Sequence, residues 1–470
     1  LLMINKNIFK IEIFIIFFSI VLSIYFAVFD LNKFDKIKIN FENETYNSLL
    51  YEDLEQTWRI ADKFKNDLDS GKNFVDSLPS YRHYFLPSII VGYYYHLIDK
   101  DIFIDQLNNK NVIKVNNSKL PILIFQIIFY YLSVFVFSIE LKKKVKFPIY
   151  VSVLTFLSLE PSIFQWHHSF WSESIFLSLM LFVFYLLLKG QKKIIFNFFL
   201  GVLVSFLYLQ RSVSFLYIIP ILFYLLLIFK TNIKPLIFTI LGCLIVFFLI
   251  GLKNLKKTDK FYLLSLEHRY YSFYYYFASY LKADRENIEV SKAKEELKII
   301  EGNWMDENNI NLNIAEDYLK AIDFRNKSFL NEVIQNPLFT IKFFTKKIVM
   351  MCIIHPTWVD ESYKTDKTDP EARNNPKKYY HKNLKRNIIY SIFLYFFIFV
   401  GFLSWIRKFF KHKSIDTFDK FIFFNIFSIL YFILISGFWG NPKYFAPCIL
   451  SLSFFFGYGI NEILQKLKII

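Results

Sequence analysis

Long apolar segments separated by basic connections are the feature that most constrains this chain. About ten such segments, each of roughly 17 to 22 residues, match the ~20 residues that a transmembrane helix needs. They lie at 8-29, 121-139, 147-165, 172-188, 194-209, 213-229, 233-252, 388-406, 421-439 and 444-463. With 54% hydrophobic and 21% aromatic residues, the chain carries more apolar surface than a soluble domain can bury. The sequence therefore predicts an all-α polytopic integral membrane protein with about 10 to 11 transmembrane helices.

The basic connections orient these segments. Every second connection is rich in Lys and Arg, and by the positive-inside rule these connections and both termini are expected in the cytoplasm. The residues concerned are Lys6 and Lys10; Lys142, Lys143, Lys144 and Lys146; Lys189, Lys192 and Lys193; Lys230 and Lys234; Arg407, Lys408, Lys411, Lys413 and Lys420; and Lys466 and Lys468. Topology thus explains most of the +16 net charge, and a nucleic-acid partner is not expected.

Two long segments, 30-120 and 253-387, fall on the predicted outer face. They divide the chain into an N-terminal membrane module over 1-252, an outer helical region over 253-387 and C-terminal transmembrane helices over 388-470. Both outer segments are expected to contain interfacial helices. The short apolar stretch 84-98 is interpreted as re-entrant or interfacial, because a crossing there would invert all later connections; a tilted short span is the alternative.

Two cations depart from this charge pattern. Arg211 and Lys443 are the basic residues of the short outer connections, where the positive-inside rule disfavours them. Either side chain could simply reach the lipid headgroups. Because Arg grips two phosphate oxygens in a planar fork and Lys supplies a compact charge, the pair also fits a phosphate-bearing ligand. Arg82, just before the stretch 84-98, is a weaker candidate of the same kind.

Acidic residues early in the first outer segment are candidates for a general base. Asp53 and Glu55, with Glu52 beside them, lie on a predicted amphipathic helix, where a solvated polar face is the alternative interpretation. A carboxylate held against a membrane cavity could accept the proton of an acceptor hydroxyl.

A second cluster, QWHHSFWSESIF, places His167, His168 and Glu173 at a span boundary. Ionisable groups near hydrocarbon are costly and usually serve a site, so these residues are predicted to line one. A metal site at the two histidines is a less favoured alternative, because adjacent side chains on a helix diverge and no third ligand has diagnostic spacing. The three cysteines are scattered, and they predict neither a disulfide framework nor a metal site.

In order along the chain, several short motifs resemble those of the GT-C superfamily of membrane glycosyltransferases. This group contains the protein O-mannosyltransferases and the lipid A aminoarabinose transferase. Asp53, Thr57 and Ala61 keep the spacing of an acidic D-x-x-x-Y-x-x-x-A pattern in the first outer loop, with Thr where the aromatic is usual. YRHYFLP resembles the R-x-P-x-Y-P element, with Arg82 and Pro87 retained.

The remaining motifs lie at the outer ends of later spans. SESIF resembles S-E-x-x-F and places Glu173, while QRS resembles the element that supplies an Arg at a span end and places Arg211. NPKYFAP is similar to the terminal R-Y-x-x-P, with Lys443 replacing the Arg and Tyr444 following it. The resemblance extends over nearly the whole chain.

The resemblance implies an inverting glycosyltransferase on the outer, periplasmic face of the membrane, expected to be the bacterial inner (plasma) membrane. It would transfer a sugar from a polyprenyl-phosphate donor to a lipid, glycan or protein acceptor, with no certain cofactor. Arg211, Lys443 and Arg82 would bind the donor phosphate, Asp53 or Glu55 would act as base, and His167, His168, Glu173 and Tyr444 would line the site. The alternatives are a transporter or flippase, or an O-antigen-type polymerase or ligase, handling lipid-linked glycans.

Overall fold

A bundle of long apolar helices forms most of the computed structural model of this chain. The structure describes residues 2–34, 38–41, 44–47, 52–78, 85–100, 104–107, 110–113, 120–167, 172–190, 193–230, 232–258, 261, 272–312, 314–353, 376–411, 416–436 and 445–469. All ten predicted apolar segments contain a helix. These helices are α1 (Leu2–Phe34), α5 (Leu120–Leu141), α6 (Phe147–Leu159), α8 (Ser172–Lys189), α9 (Ile194–Gln210), α10 (Ile218–Phe229), α11 (Lys234–Thr258), α16 (Pro376–Lys411), α17 (Thr417–Ser436) and α18 (Ala446–Lys466).

Seven membrane spans can be assigned by length and composition within the described residues. They begin in α1, α5, α6, α11, α16, α17 and α18, and the span that starts at Phe147 continues through the short helix α7 (Pro161–Phe164). The apolar helices α9 and α10 are shorter. The chain is therefore an integral membrane protein with a largely helical fold, as predicted, while the number of 10 to 11 spans stays a prediction.

Glycines allow two pairs of apolar helices to pack with their backbones in close contact. A Cβ at Gly201 of α9 would overlap the carbonyl oxygen of Thr239 in α11, and one at Gly401 of α16 would overlap that of Phe455 in α18. In lipid the hydrophobic effect does not drive helices together. Close backbone packing of this kind therefore stabilises their association through van der Waals contacts. The spans otherwise share one continuous apolar core.

Ion pairs and hydrogen bonds connect helices at the span ends that the sequence predicts to be cytoplasmic. Lys142 Nζ, in the basic connection after α5, lies 3.2 Å from the buried carboxylate of Glu12 on α1. At the start of α17, Asp419 is 3% exposed and accepts hydrogen bonds from Trp405 Nε1 at 3.2 Å and from Lys408 Nζ at 3.3 Å. These contacts give several of the cytoplasmic lysines a structural role besides orientation.

The first outer segment is built around two helices, α2 (Glu52–Asp69) and α4 (Phe85–Leu97), with the short helix α3 (Phe74–Ser77) between them. Two hairpins not predicted from the sequence flank this unit, β1 (Lys38–Phe41) with β2 (Glu44–Asn47) and β3 (Ile104–Leu107) with β4 (Lys110–Ile113). The amphipathic helix was predicted, and its apolar face packs on α4: a Cβ at Gly92 would lie 2.6 Å from the carbonyl oxygen of Ala61.

Helix α4 has 13 residues and is not among the helices long enough to cross a membrane. Its length, ~20 Å at 1.5 Å per residue, agrees with the re-entrant or interfacial interpretation of the stretch 84-98. At its end, His96 Nδ1 lies 2.6 Å from Asp69 Oδ1, and Lys65 Nζ lies 2.5 Å from Asp69 Oδ2. The hydrogen bonds from Lys65 and His96 lower the pKa of Asp69, and the contact with His96 joins the ends of α2 and α4.

The second outer segment forms a helical unit with its own small cores. A π-helix (Ser272–Ala278) leads into α12 (Ser279–Glu286), α13 (Val290–Glu307), α14 (Ala315–Gln335) and α15 (Pro337–Ile353). Glu301 of α13 is 1% exposed and accepts from Arg325 Nε of α14 at 2.5 Å and from the Tyr275 hydroxyl. This buried network ties the π-helix to the two long helices, in the region that the sequence predicted to be helical.

Candidate functional site at the outer ends of the spans

A buried ion pair joins α8 and α9 at the ends that the sequence predicts to face outward. Arg211 follows the last residue of α9, and Glu173 lies in the first turn of α8. Arg211 Nη1 donates to Glu173 Oε1 at 2.5 Å, and the two side chains are 7% and 2% exposed. Since a helix C-terminus favours a cation and an N-terminus favours an anion, each charge also matches its own helix end.

Sequence interpretation assigned Arg211 to a phosphate and Glu173 to the lining of the same site. The structure brings these two side chains into contact, and the Phe176 ring, one turn along α8, lies 5.8 Å from Arg211 Cζ. A guanidinium has five N–H donors in a fixed plane, so a carboxylate held against Nη1 fixes the direction in which that plane faces. Glu173 is therefore positioned to orient Arg211.

His167 lies beside this pair and is completely buried. Its Nδ1 is 2.9 Å from the hydroxyl oxygen of Ser174, the neighbour of Glu173, and its ring centroid is 4.4 Å from that of Tyr130 on α5. Gln126 Nε2, also on α5, donates to the His167 carbonyl oxygen at 3.1 Å. Helix α5 thus holds the connection between α7 and α8 in place, and the assignment of His167 to the lining of a site stays a prediction.

Another buried carboxylate lies in the same outer layer, and sequence interpretation missed it. Glu160, between α6 and α7, is 4% exposed and accepts from the backbone N–H of Ile163 at 3.1 Å and from the hydroxyl group of Ser162. The hydroxyl of Tyr390 on α16 donates to it at 3.2 Å. The signal was available in the sequence, because an acid directly before Pro161 inside an apolar segment is unusual.

The candidate base residues lie at the start of α2. Asp53 and Glu55 belong to its first turn, and the structure describes their helix but not their side chains. Helices α2 and α4 run parallel, since Ala61 is next to Gly92 and Asp69 is next to His96.

Four predicted site residues lie outside the described part of the chain: Arg82, His168, Lys443 and Tyr444. Their assignments stay predictions. Among the described residues, no three His, Cys, Asp or Glu side chains are grouped as they would be around a metal ion. Because His168 is not among the described residues, the metal alternative at His167 and His168 stays a prediction.

A different attachment connects the first outer segment to the membrane bundle. Lys253, near the outer end of α11, is 9% exposed and donates from Nζ to the backbone carbonyl oxygen of Leu78. Its ammonium group thereby fixes the end of the α2–α3 unit to a span. The predicted site residues that the structure describes thus fall on two parts of the chain, the ends of α8 and α9 and the start of α2.

Comparison with known proteins gives a distant structural likeness. No protein family profile and no curated protein sequence matches this chain. The solved structure of an archaeal oligosaccharyltransferase, AglB from Archaeoglobus fulgidus in complex with an inhibitory peptide and a dolichol-phosphate, aligns with 12% identity and a TM-score of 0.43. The alignment covers 97% of this chain and 51% of that protein, so this chain spans about half its length. This likeness identifies neither family nor reaction, and the functional conclusion depends on the residues themselves.

Proposed function

We propose that this protein is an inverting GT-C-type glycosyltransferase that uses a polyprenyl-phosphate-linked sugar on the outer face of the bacterial inner membrane. The buried pair between Arg211 and Glu173 is the observation that carries the proposal. Ionisable residues within membrane segments are rare and mark functional sites. This pair lies at the span ends that face the predicted periplasmic side, beside the buried His167.

Arg211 supplies the donor-phosphate half of the site. The carrier's hydrocarbon remains in the bilayer, while its phosphate reaches the outer ends of α8 and α9. When the bond between sugar and phosphate breaks, negative charge grows on the phosphate oxygens, and a guanidinium fixed in advance by Glu173 stabilises that charge. Lys443 and Arg82 add positive charge to the same phosphate, and Tyr444 and His168 complete the lining with His167.

Asp53 supplies the acceptor half. As a general base on the first turn of α2, it removes the proton of the acceptor hydroxyl while the oxygen attacks the anomeric carbon. The lipid phosphate leaves from the opposite face of the sugar, so a single displacement inverts the configuration. Glu55 is the substitute base on the same turn. The proton passes to the carboxylate, the sugar to the acceptor, and the phosphate remains on the lipid.

The experiment is a turnover assay with the purified protein in lipid nanodiscs. A panel of polyprenyl-phosphate sugars is supplied with lipid, glycan and peptide acceptors, and free polyprenyl phosphate and the glycosylated acceptor are measured together. The proposal expects both products in equal amounts from at least one donor. Transport of an intact lipid-linked sugar across proteoliposomes, without either product, would instead establish the transporter alternative; joining of preformed glycan chains would establish the polymerase or ligase alternative.

A further inference from the structure

Helix α15 of the second outer segment has two opposite faces that both carry apolar residues. On its inner face, Phe343 is 2% exposed, with its ring centroid 5.7 Å from that of Phe277. On the opposite face, Leu338, Ile341 and Val349 are 82%, 63% and 46% exposed. Their spacing follows helical periodicity, so they form one stripe that the protein fold leaves uncovered. Ordered apolar stripes of this kind mark contact with a membrane or a partner.

The end of α15 lies against the membrane bundle. This position indicates what covers the stripe. Met351 is fully buried in the core that the spans share, and the carbonyl oxygen of Cys352 accepts a hydrogen bond from the Tyr395 hydroxyl. Tyr395 lies seven residues inside the span that begins at Ile388. At 1.5 Å per residue this is ~10 Å along that span. Helix α15 therefore runs from the outer helical unit down to the depth of the bilayer.

Basic side chains border the stripe on one side. Lys342 and Lys346 lie about 40° and 80° around the helix from Leu338, both on the same side. Both are exposed, and Lys346 Nζ also lies 3.3 Å from Asp284 Oδ1 of α12. Apolar residues that enter the acyl region, with lysines at headgroup level, are the pattern of a helix bound to the membrane interface.

We propose that α15 inserts its exposed stripe, Leu338, Ile341 and Val349, into the outer leaflet of the bilayer, with Lys342 and Lys346 contacting anionic headgroups. Through Phe343 on its other face, α15 then holds the outer helical unit at a fixed height above the bundle. The partner is the lipid surface itself. This inference is independent of the proposed transferase activity.

Spin labels at single positions test the insertion in the full-length protein. Leu338→Cys, Ile341→Cys and Val349→Cys are made in a chain whose native cysteines are replaced by serine, labelled with a nitroxide and reconstituted in nanodiscs containing phosphatidylglycerol. Collision with oxygen, which concentrates in lipid, is compared with collision with a water-soluble nickel chelate. Glu295→Cys, on the exposed face of α13, is the control for a position in water.

Insertion predicts that oxygen collisions dominate at all three stripe positions and nickel collisions dominate at position 295. Nickel-dominated collisions at 338, 341 and 349 would overturn the proposal. Low access of both reagents would also overturn it, because the stripe would then be covered by protein, including a second copy of the chain. If the serine background unfolds, photo-crosslinking of the wild-type chain with a diazirine-bearing lipid replaces the labels. Crosslinks within 338–349 are expected, and their absence there contradicts insertion.

Discussion

Arg211 Nη1 lies 2.5 Å from Glu173 Oε1, although 38 positions separate the two residues in sequence. The contact exists because α8 and α9 are packed neighbours whose outer ends meet. It converts two isolated sequence predictions into one unit, a guanidinium whose orientation is set by a buried carboxylate.

Removal of either charge should destabilise the bundle. Arg211→Gln or Glu173→Gln leaves the other charge buried and uncompensated, which costs on the order of 3 to 5 kcal/mol. The double variant should cost less than the sum of the two, because it leaves no lone charge. The free energy of unfolding is compared by thermal unfolding in detergent for the wild type, the two single variants and the double variant. Additive losses would show that the two side chains do not act as a pair.

Asp53→Asn should reduce turnover by roughly 10²-fold or more, because the amide keeps the shape of the base and cannot take a proton. Insertion and thermal unfolding should be unaffected. Asp62→Asn, two turns further along α2, is the matched control and should retain activity. Turnover near that of the wild type in Asp53→Asn would transfer the base role to Glu55 or Glu52, which the corresponding Gln variants then test.

Glycines at helix crossings should tolerate no side chain. Gly201→Ala and Gly401→Ala place a methyl group against a backbone carbonyl of the adjacent span, so the helices must separate. Overpacking of this kind costs typically 1 to 3 kcal/mol. Gly302→Ala in α13 is the control: nothing lies within 4 Å of the added carbon, and alanine favours a helix by up to ~1 kcal/mol. The thermal midpoint should fall for the first two and stay or rise for the third.

Orientation can be tested by labelling from each side of the membrane. Lys143→Cys should react with an impermeant maleimide only when the inner face is accessible, and Lys298→Cys, exposed on α13, only from the outer face. The native Cys243 and Cys448 are buried, and unsubstituted protein gives the background. Labelling of position 143 from outside would show that the predicted topology is inverted. The candidate site would then lie on the inner face.

Local sequence signals were sufficient to predict where most of the apolar helices lie. Helices α5 and α9 begin at Leu120 and Ile194, within a residue of the predicted apolar segments, because span length and basic flanks fix both ends. The ion pair could not be predicted, since it depends on which helices are neighbours. The same holds for the hydrogen bond from Tyr390 to Glu160 and for the contact between Gly201 and Thr239, in which the partner comes from another helix. The two hairpins were also missed, because four-residue strands carry too little periodicity to be recognised.

The most direct test of the central claim is the affinity of polyprenyl phosphate for protein in nanodiscs. Arg211→Gln should weaken binding by about 10- to 150-fold, the equivalent of ~1.5 to 3 kcal/mol for a lost charge-assisted contact. Arg325→Gln is the matched control, because Arg325 is equally buried against a glutamate, Glu301, in the outer helical unit. It should bind as the wild type does. Unchanged affinity in Arg211→Gln, or equal losses in both variants, would contradict a donor-phosphate site at Arg211.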